Sequence, residues 1–188
     1  MKAYNQWYPA TYDKIFSMAS WQDFTADVER KVVCVFSWMP QTIMNVRHPG
    51  KRKKSELFGV GDACEHVRAA SLHFERVKNM ELASVNLQDI RSDIIGSSEP
   101  IFALFGPSAG SKFLHFAAPR LFPMWESSLR KEAKLSKGSS GEYFQYMQLF
   151  QRELRDPQNI HDALTEYPGN PVRGWDIRRM KQREQEEE

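Results

Sequence analysis

From Trp21 to Met39 the apolar residues Trp21, Phe24, Val28, Val32, Val35, Phe36 and Met39 recur three or four positions apart. That spacing lines one face of an α-helix and predicts a helix stopped near Pro40. No stretch alternates apolar and polar residues for long with the period of two that a half-buried strand requires. Further helices are expected from Asp62 to about Lys78, with Asp62 as N-cap after Gly59-Val60-Gly61, and from Leu82 to Ile95 ahead of Gly96-Ser97-Ser98. A short helix fits Pro100 to Phe105. Others fit Trp125 to Leu135, Gly141 to Arg155, Asn159 to Thr165 and Trp175 onward, with Gly, Pro or Ser punctuating the gaps. The expectation is an all-α protein forming a single domain over 1–188, without internal repeats.

A chain of 188 residues can bury a substantial core without covalent staples. Its longest apolar runs, such as Val32 to Phe36, are too short to cross a bilayer, and the stretch MKAYNQWYPATYDK lacks a signal-peptide core. A cytoplasmic protein with no membrane partner is therefore expected. Cys34 and Cys64 are the two cysteines. They form no CxxC motif and have no histidine at zinc spacing, so neither a disulfide framework nor a metal is expected. His66 and His73 lie seven apart on one expected helix face without an adjacent carboxylate. No cofactor is implied.

The net charge of +2 is too small to indicate a nucleic-acid partner by itself, but its distribution is uneven. Lys51 to Lys54 read KRKK beside His48-Pro49-Gly50. Arg120, Arg130, Lys131, Lys134 and Lys137 surround or follow the stretch GPSAGSKFLHFAAPRLFPMWE, Gly106 to Glu126. The C-terminal REQEEE reads as a solvated helix end.

Within Gly106 to Glu126, the residues Ser108-Ala109-Gly110-Ser111-Lys112 are expected to form a glycine-containing turn between two helices. Free backbone N–H groups at the start of the second helix would bind phosphate, with Lys112 in its first turn. Pro119 ends that helix. Pro123 orients the next, whose first turn carries Trp125 and Glu126, so the lysine and the carboxylate can face one cleft.

Ser108-Ala109-Gly110-Ser111-Lys112 resembles the second half of the hairpin of the helix-hairpin-helix DNA glycosylases, with serine in place of its first glycine. Leu121-Phe122-Pro123-Met124-Trp125-Glu126 is similar to the proline-apolar-aspartate segment that supplies the acid of that family. The resemblance covers roughly Pro100 to Lys137. It departs in three ways: the acid is glutamate, one extra residue separates it from the proline, and the lysine-to-acid interval is shorter. In the endonuclease III branch that interval is about eighteen residues; here it is about one helical turn less.

The resemblance implies a compact two-lobed helical fold and a DNA glycosylase that excises a modified base, in repair or in defence against modified phage DNA. It implies duplex DNA with a flipped base as the partner of a monomer. Cleaving an N-glycosidic bond develops positive charge on the sugar, which Glu126 would stabilise. Lys112 would attack the anomeric carbon as a Schiff-base nucleophile, adding a lyase step. Ser108, Gly110, Ser111, Arg120, Arg130 and Lys131 would contact DNA. Phe113, His115, Phe116, Trp125 and Tyr143 would hold the base. Plainer roles stand beside these: Lys112 as a helix-start lysine, Glu126 as a first-turn acid favoured by the helix dipole, and His115 as a satisfied core imidazole. A non-catalytic DNA-binding protein and a helical interaction scaffold are the alternative functions.

Overall fold

The computed structural model describes residues 4–38, 60–135 and 137–186. The KRKK cluster, His48 to Gly50, Met39, Pro40 and Gly59 lie outside them. Among the described residues the chain is all α-helical, without strands: α1 (Tyr4–Ser17), α2 (Val28–Trp38), α3 (Val60–Val77), α4 (Arg91–Ala117), α5 (Ser127–Glu132), α6 (Ser140–Leu154), α7 (Pro157–Glu166) and α8 (Pro171–Glu186). The central element is α4. It packs against α2, α3 and α6, while α7 and α8 pair with each other and reach α6.

The stripe beginning at Trp21 contributes to the core as expected, but its first two turns are not helix. Asp27 takes a left-handed conformation (φ 50°), which breaks the helix and delays α2 to Val28. Lys31, fully buried, donates from Nζ to the carbonyls of Asp23, Phe24 and Ala26, satisfying backbone groups that a helix would have paired internally. Trp21 and Phe24 still point inward. Phe24 stacks on Phe74 with ring centroids 3.9 Å apart, and Trp21 stacks on Phe116 at 5.0 Å.

Two other expectations change. The span from Leu82 to Ile90 forms turns rather than helix, and Gly96-Ser97-Ser98 lies inside α4 rather than ending a helix. Both serines return their hydroxyls to the preceding turn: Ser97 Oγ donates to Asp93 O at 2.6 Å and Ser98 Oγ to Ile94 O at 2.8 Å. Helix α1 was not anticipated. Its apolar stripe is short, but Tyr12 and Ile15, three apart, are both buried.

The C-terminal helices begin as their sequences dictate. Ser139 accepts from the Glu142 N–H at 3.2 Å, and Glu142 Oε2 accepts from the Gly138 N–H at 2.7 Å, closing the start of α6. Asp156 caps α7 ahead of Pro157, and Asn170 Oδ1 accepts from the Arg173 N–H at 3.1 Å ahead of Pro171.

Candidate functional site

The break in α4 lies earlier than the sequence suggested. Gly106 carries it, with φ 74° and ψ 166°, a backbone region open to glycine and costly for other residues. Pro107 then opens the second half of the helix, where its missing N–H costs nothing. Ser108 to Lys112 are therefore helical and form no turn. Gly110 is buried, and a Cβ there would lie 2.5 Å from Phe102 Cδ1. Ser111 is also fully buried. Its hydroxyl donates to Ser108 O at 3.1 Å and accepts from the Trp125 N–H at 2.9 Å. Gly110 and Ser111 thus hold helix packing and a loop, and they do not present N–H groups to a phosphate.

The segment Phe122 to Glu126 has no regular secondary structure and is buried as far as Trp125, and much of its backbone finds partners on surrounding side chains. Phe122 O accepts from His115 Nδ1 at 2.7 Å, Pro123 O from Tyr143 Oη at 2.7 Å, and Met124 O from Tyr146 Oη at 3.2 Å. Trp125 O accepts from Arg130 Nη1 at 3.2 Å. The Met124 N–H donates to the Asp176 carboxyl. Buried backbone groups outside a helix must be paired, and this lattice of tips pairs them.

The aromatic residues expected to hold a base therefore have another task. Phe113, His115, Phe116, Trp125 and Tyr143 are all fully buried and belong to the core. Phe113 and Phe116 pack around Trp21, while Trp125 packs between Phe102 and Tyr146. Because Phe122 O can only accept, His115 Nδ1 carries the proton and Nε2 accepts from Tyr12 Oη at 2.8 Å. Burial, with Arg173 nearby, pushes the His115 imidazole down to about 3. It is a neutral, satisfied core residue. Tyr143→Phe is expected to leave the buried Pro123 carbonyl without its donor and to cost about 1–3 kcal/mol, measured by urea denaturation; an unchanged midpoint would contradict the lattice.

The lattice delivers Glu126 to the surface. Lys112 Nζ, projecting from the second half of α4, lies 2.7 Å from Glu126 Oε1. The lysine side chain is 3% exposed and the glutamate side chain 42% exposed, so the carboxylate stands on the solvent side of its cation. The ammonium also sits over Trp38, 5.2 Å from the ring centroid. The two residues singled out fourteen positions apart are thus brought into one ion pair.

Two clefts are lined by residues at or after Met124 in the chain. One, of about 500 Å³, is lined by Arg130, Lys131, Lys134, Ser127 and Leu135. Arg130 is anchored there by its bond to Trp125 O, by Nη1 donating to Ser108 Oγ at 2.9 Å, and by stacking on Trp125 at 5.5 Å. Arg120 serves elsewhere: its guanidinium is engaged with Glu81 and with Gly169 O. It ties two turns together while its side chain stays 54% exposed.

The second cleft lies between Glu126 and α8, where Arg173 and Asp176 join the site. The sequence reading missed both. Their signal was available: two charges three apart on a helix, beside Val172, Trp175 and Ile177, occupy positions where a surface helix would be apolar. Arg173 is 2% exposed and lies 4.2 Å above the Tyr12 ring. Among the described residues, no group of three or more His, Cys, Asp or Glu could hold a metal ion, and no helix is long and apolar enough to cross a membrane. No family model matches the chain, and neither curated proteins nor solved structures give a match.

Proposed function

We propose that the chain is a hydrolytic DNA N-glycosylase that excises a modified base, with Glu126 as its essential carboxylate. The observation that carries this reading is the Lys112–Glu126 ion pair at 2.7 Å, with the carboxylate facing solvent. A negative group held in place by a buried cation is preorganised to stabilise a sugar whose anomeric carbon turns positive as the base departs. The same carboxylate can take a proton from the water that attacks that carbon.

Lys112 acts in this reading as the counter-ion that aims Glu126. A sugar approaching from solvent meets the carboxylate first, and the ammonium behind it is committed to Glu126 and the Trp38 face. The lyase step suggested by the resemblance is accordingly not part of the proposal. Arg130, Lys131 and Lys134, following directly on Glu126, offer a positive cleft for the backbone of DNA whose target base has been turned out of the stack.

The test is incubation with duplexes each carrying one modified base, followed by alkali to cleave abasic sites. At least one duplex is expected to yield abasic sites, and borohydride added during turnover is expected to trap no protein–DNA adduct. A panel without abasic sites overturns the reading. An adduct that disappears in Lys112→Gln would instead make the lysine the nucleophile.

A further inference from the structure

The cleft between Glu126 and α8 contains a second carboxyl. Asp176 is 7% exposed and lines this cleft together with Glu126, Arg173 and Arg179, against apolar walls from Met124, Leu129 and Met180. Asp176 accepts the Met124 N–H, but its Oδ2 is buried without a hydrogen-bond partner, and so is Arg173 Nε. Orphaned polar atoms of this kind are uncommon in native interiors and call for a ligand or a water. The cavity volume is about 30 Å³, room for about two water molecules.

The two carboxyls occupy opposite surroundings. Glu126 is solvent-facing and paired with a lysine. Asp176 is enclosed, and burial pushes its carboxyl up from 3.8 to about 7; Glu126 acts in the same direction, while Arg173, the Met124 N–H and Arg179 oppose it. The charged and titratable groups that act on it are Tyr12 from α1, Glu126 from the segment ahead of α5, Tyr143 from α6, and Arg173 and Arg179 from α8. A pair of acids whose environments separate them in this way suits division into a base and a proton donor.

We propose that Asp176 is the proton donor for the departing base, acting through a water seated in the cleft beneath Glu126. The proposal rests on the glycosylase reading. In the step, the oxygen of the attacking water bonds to the anomeric carbon while the carbon–nitrogen bond breaks and its electron pair leaves with the base. The attacking water gives its proton to Glu126. The base nitrogen receives a proton from the cleft water, which is replenished from Asp176, and both carboxyls exchange back to their starting states with solvent. The products are the free base and an abasic sugar.

Asp176→Asn keeps the shape and removes the transferable proton. On a duplex that the wild type excises, the variant is expected to lose about a hundredfold in single-turnover rate at pH 6. The wild-type rate is expected to fall as pH rises through 7, and the variant to lack that fall. A folding measurement carries the same idea without activity. The folded-state value lies above the unfolded one, so the favourable contribution is complete below about pH 3.8 and is lost as pH rises to about 7. The melting temperature of Asp176→Asn relative to wild type should therefore rise by about 5 °C between pH 5 and pH 8. His115 is common to both proteins and cancels in the difference. In the wild type alone, an infrared carbonyl band of a neutral carboxyl should be present at pH 6 and gone by pH 8.5, which keeps the test open if the variant does not fold.

Excision by the wild type with an unaltered rate and pH profile in Asp176→Asn overturns the donor role and leaves the glycosylase reading standing. A flat melting-temperature difference and an absent carbonyl band likewise overturn it. No excision of any duplex by the wild type, even with the carbonyl band present, removes the glycosylase reading and the donor role with it.

Discussion

Glu126→Gln is expected to reduce base excision by about a hundred- to a thousandfold, with DNA affinity nearly unchanged and the melting temperature lowered by several degrees, because the nearly buried Lys112 ammonium loses its counter-charge. The substitution preserves shape and leaves an oxygen able to accept from Lys112 Nζ, while removing the negative charge that the sugar cation needs. Its side chain is 42% exposed, so the change does not bury a new polar group. Binding by fluorescence anisotropy and single-turnover excision on the same duplex separate the two effects. Full excision by the variant would assign the essential acid to another residue, and a parallel loss of binding would make Glu126 part of the DNA-contacting surface.

The largest expected loss of stability comes from a residue with no side chain. At Gly174, an added Cβ would lie 1.8 Å from Ala163 O and 2.6 Å from its carbonyl carbon. These are backbone atoms of α7, so relief requires moving one helix away from the other. Gly174→Ala is expected to cost about 3 kcal/mol or more, read as a lower urea midpoint. Gly61→Ala, whose Cβ meets nothing within 4 Å, should be neutral or stabilising by up to about 1 kcal/mol. Equal midpoints for the two variants would contradict the close approach of α7 and α8. Since Arg173 and Asp176 flank Gly174 on α8, the same displacement would also draw the floor of the cleft away from Glu126.

The all-α class followed from apolar spacing because helical periodicity is local, and α3, α6 and α7 begin within about two residues of their expected starts. The lysine and the acid could be paired in advance because a helix and a proline-led turn constrain where both point. What could not be read locally was which glycine breaks α4. Gly106 and Gly110 both sit in a polar, glycine-rich stretch, and the choice is made by Phe102, which fills the space a side chain at Gly110 would need. Pro107 was the available sign, since Gly-Pro places proline at the first position of a helix. The aromatic residues around Lys112 were misread for a related reason. Proximity in sequence to a site does not reveal whether a tyrosine hydroxyl faces a cleft or a buried carbonyl, and in this fold Tyr143 and Tyr146 face carbonyls. Arg173 and Asp176 reach the site only because α8 folds back across some fifty residues.

The side-chain lattice around Phe122 to Glu126 also fixes a translational choice. A strand in a sheet has neighbours made of repeating backbone, so sliding by two residues restores every bond and leaves register to be set by side chains on the faces. Here six backbone groups between Phe122 and Trp125 meet side-chain tips of five kinds: an imidazole, two phenols, a guanidinium, a hydroxyl and a carboxyl. No shifted alignment reproduces that order of donors and acceptors. The position of Glu126 along the chain axis is consequently encoded residue by residue, like a key cut against unequal pins, and a one-residue insertion between Phe122 and Glu126 would find no second seat.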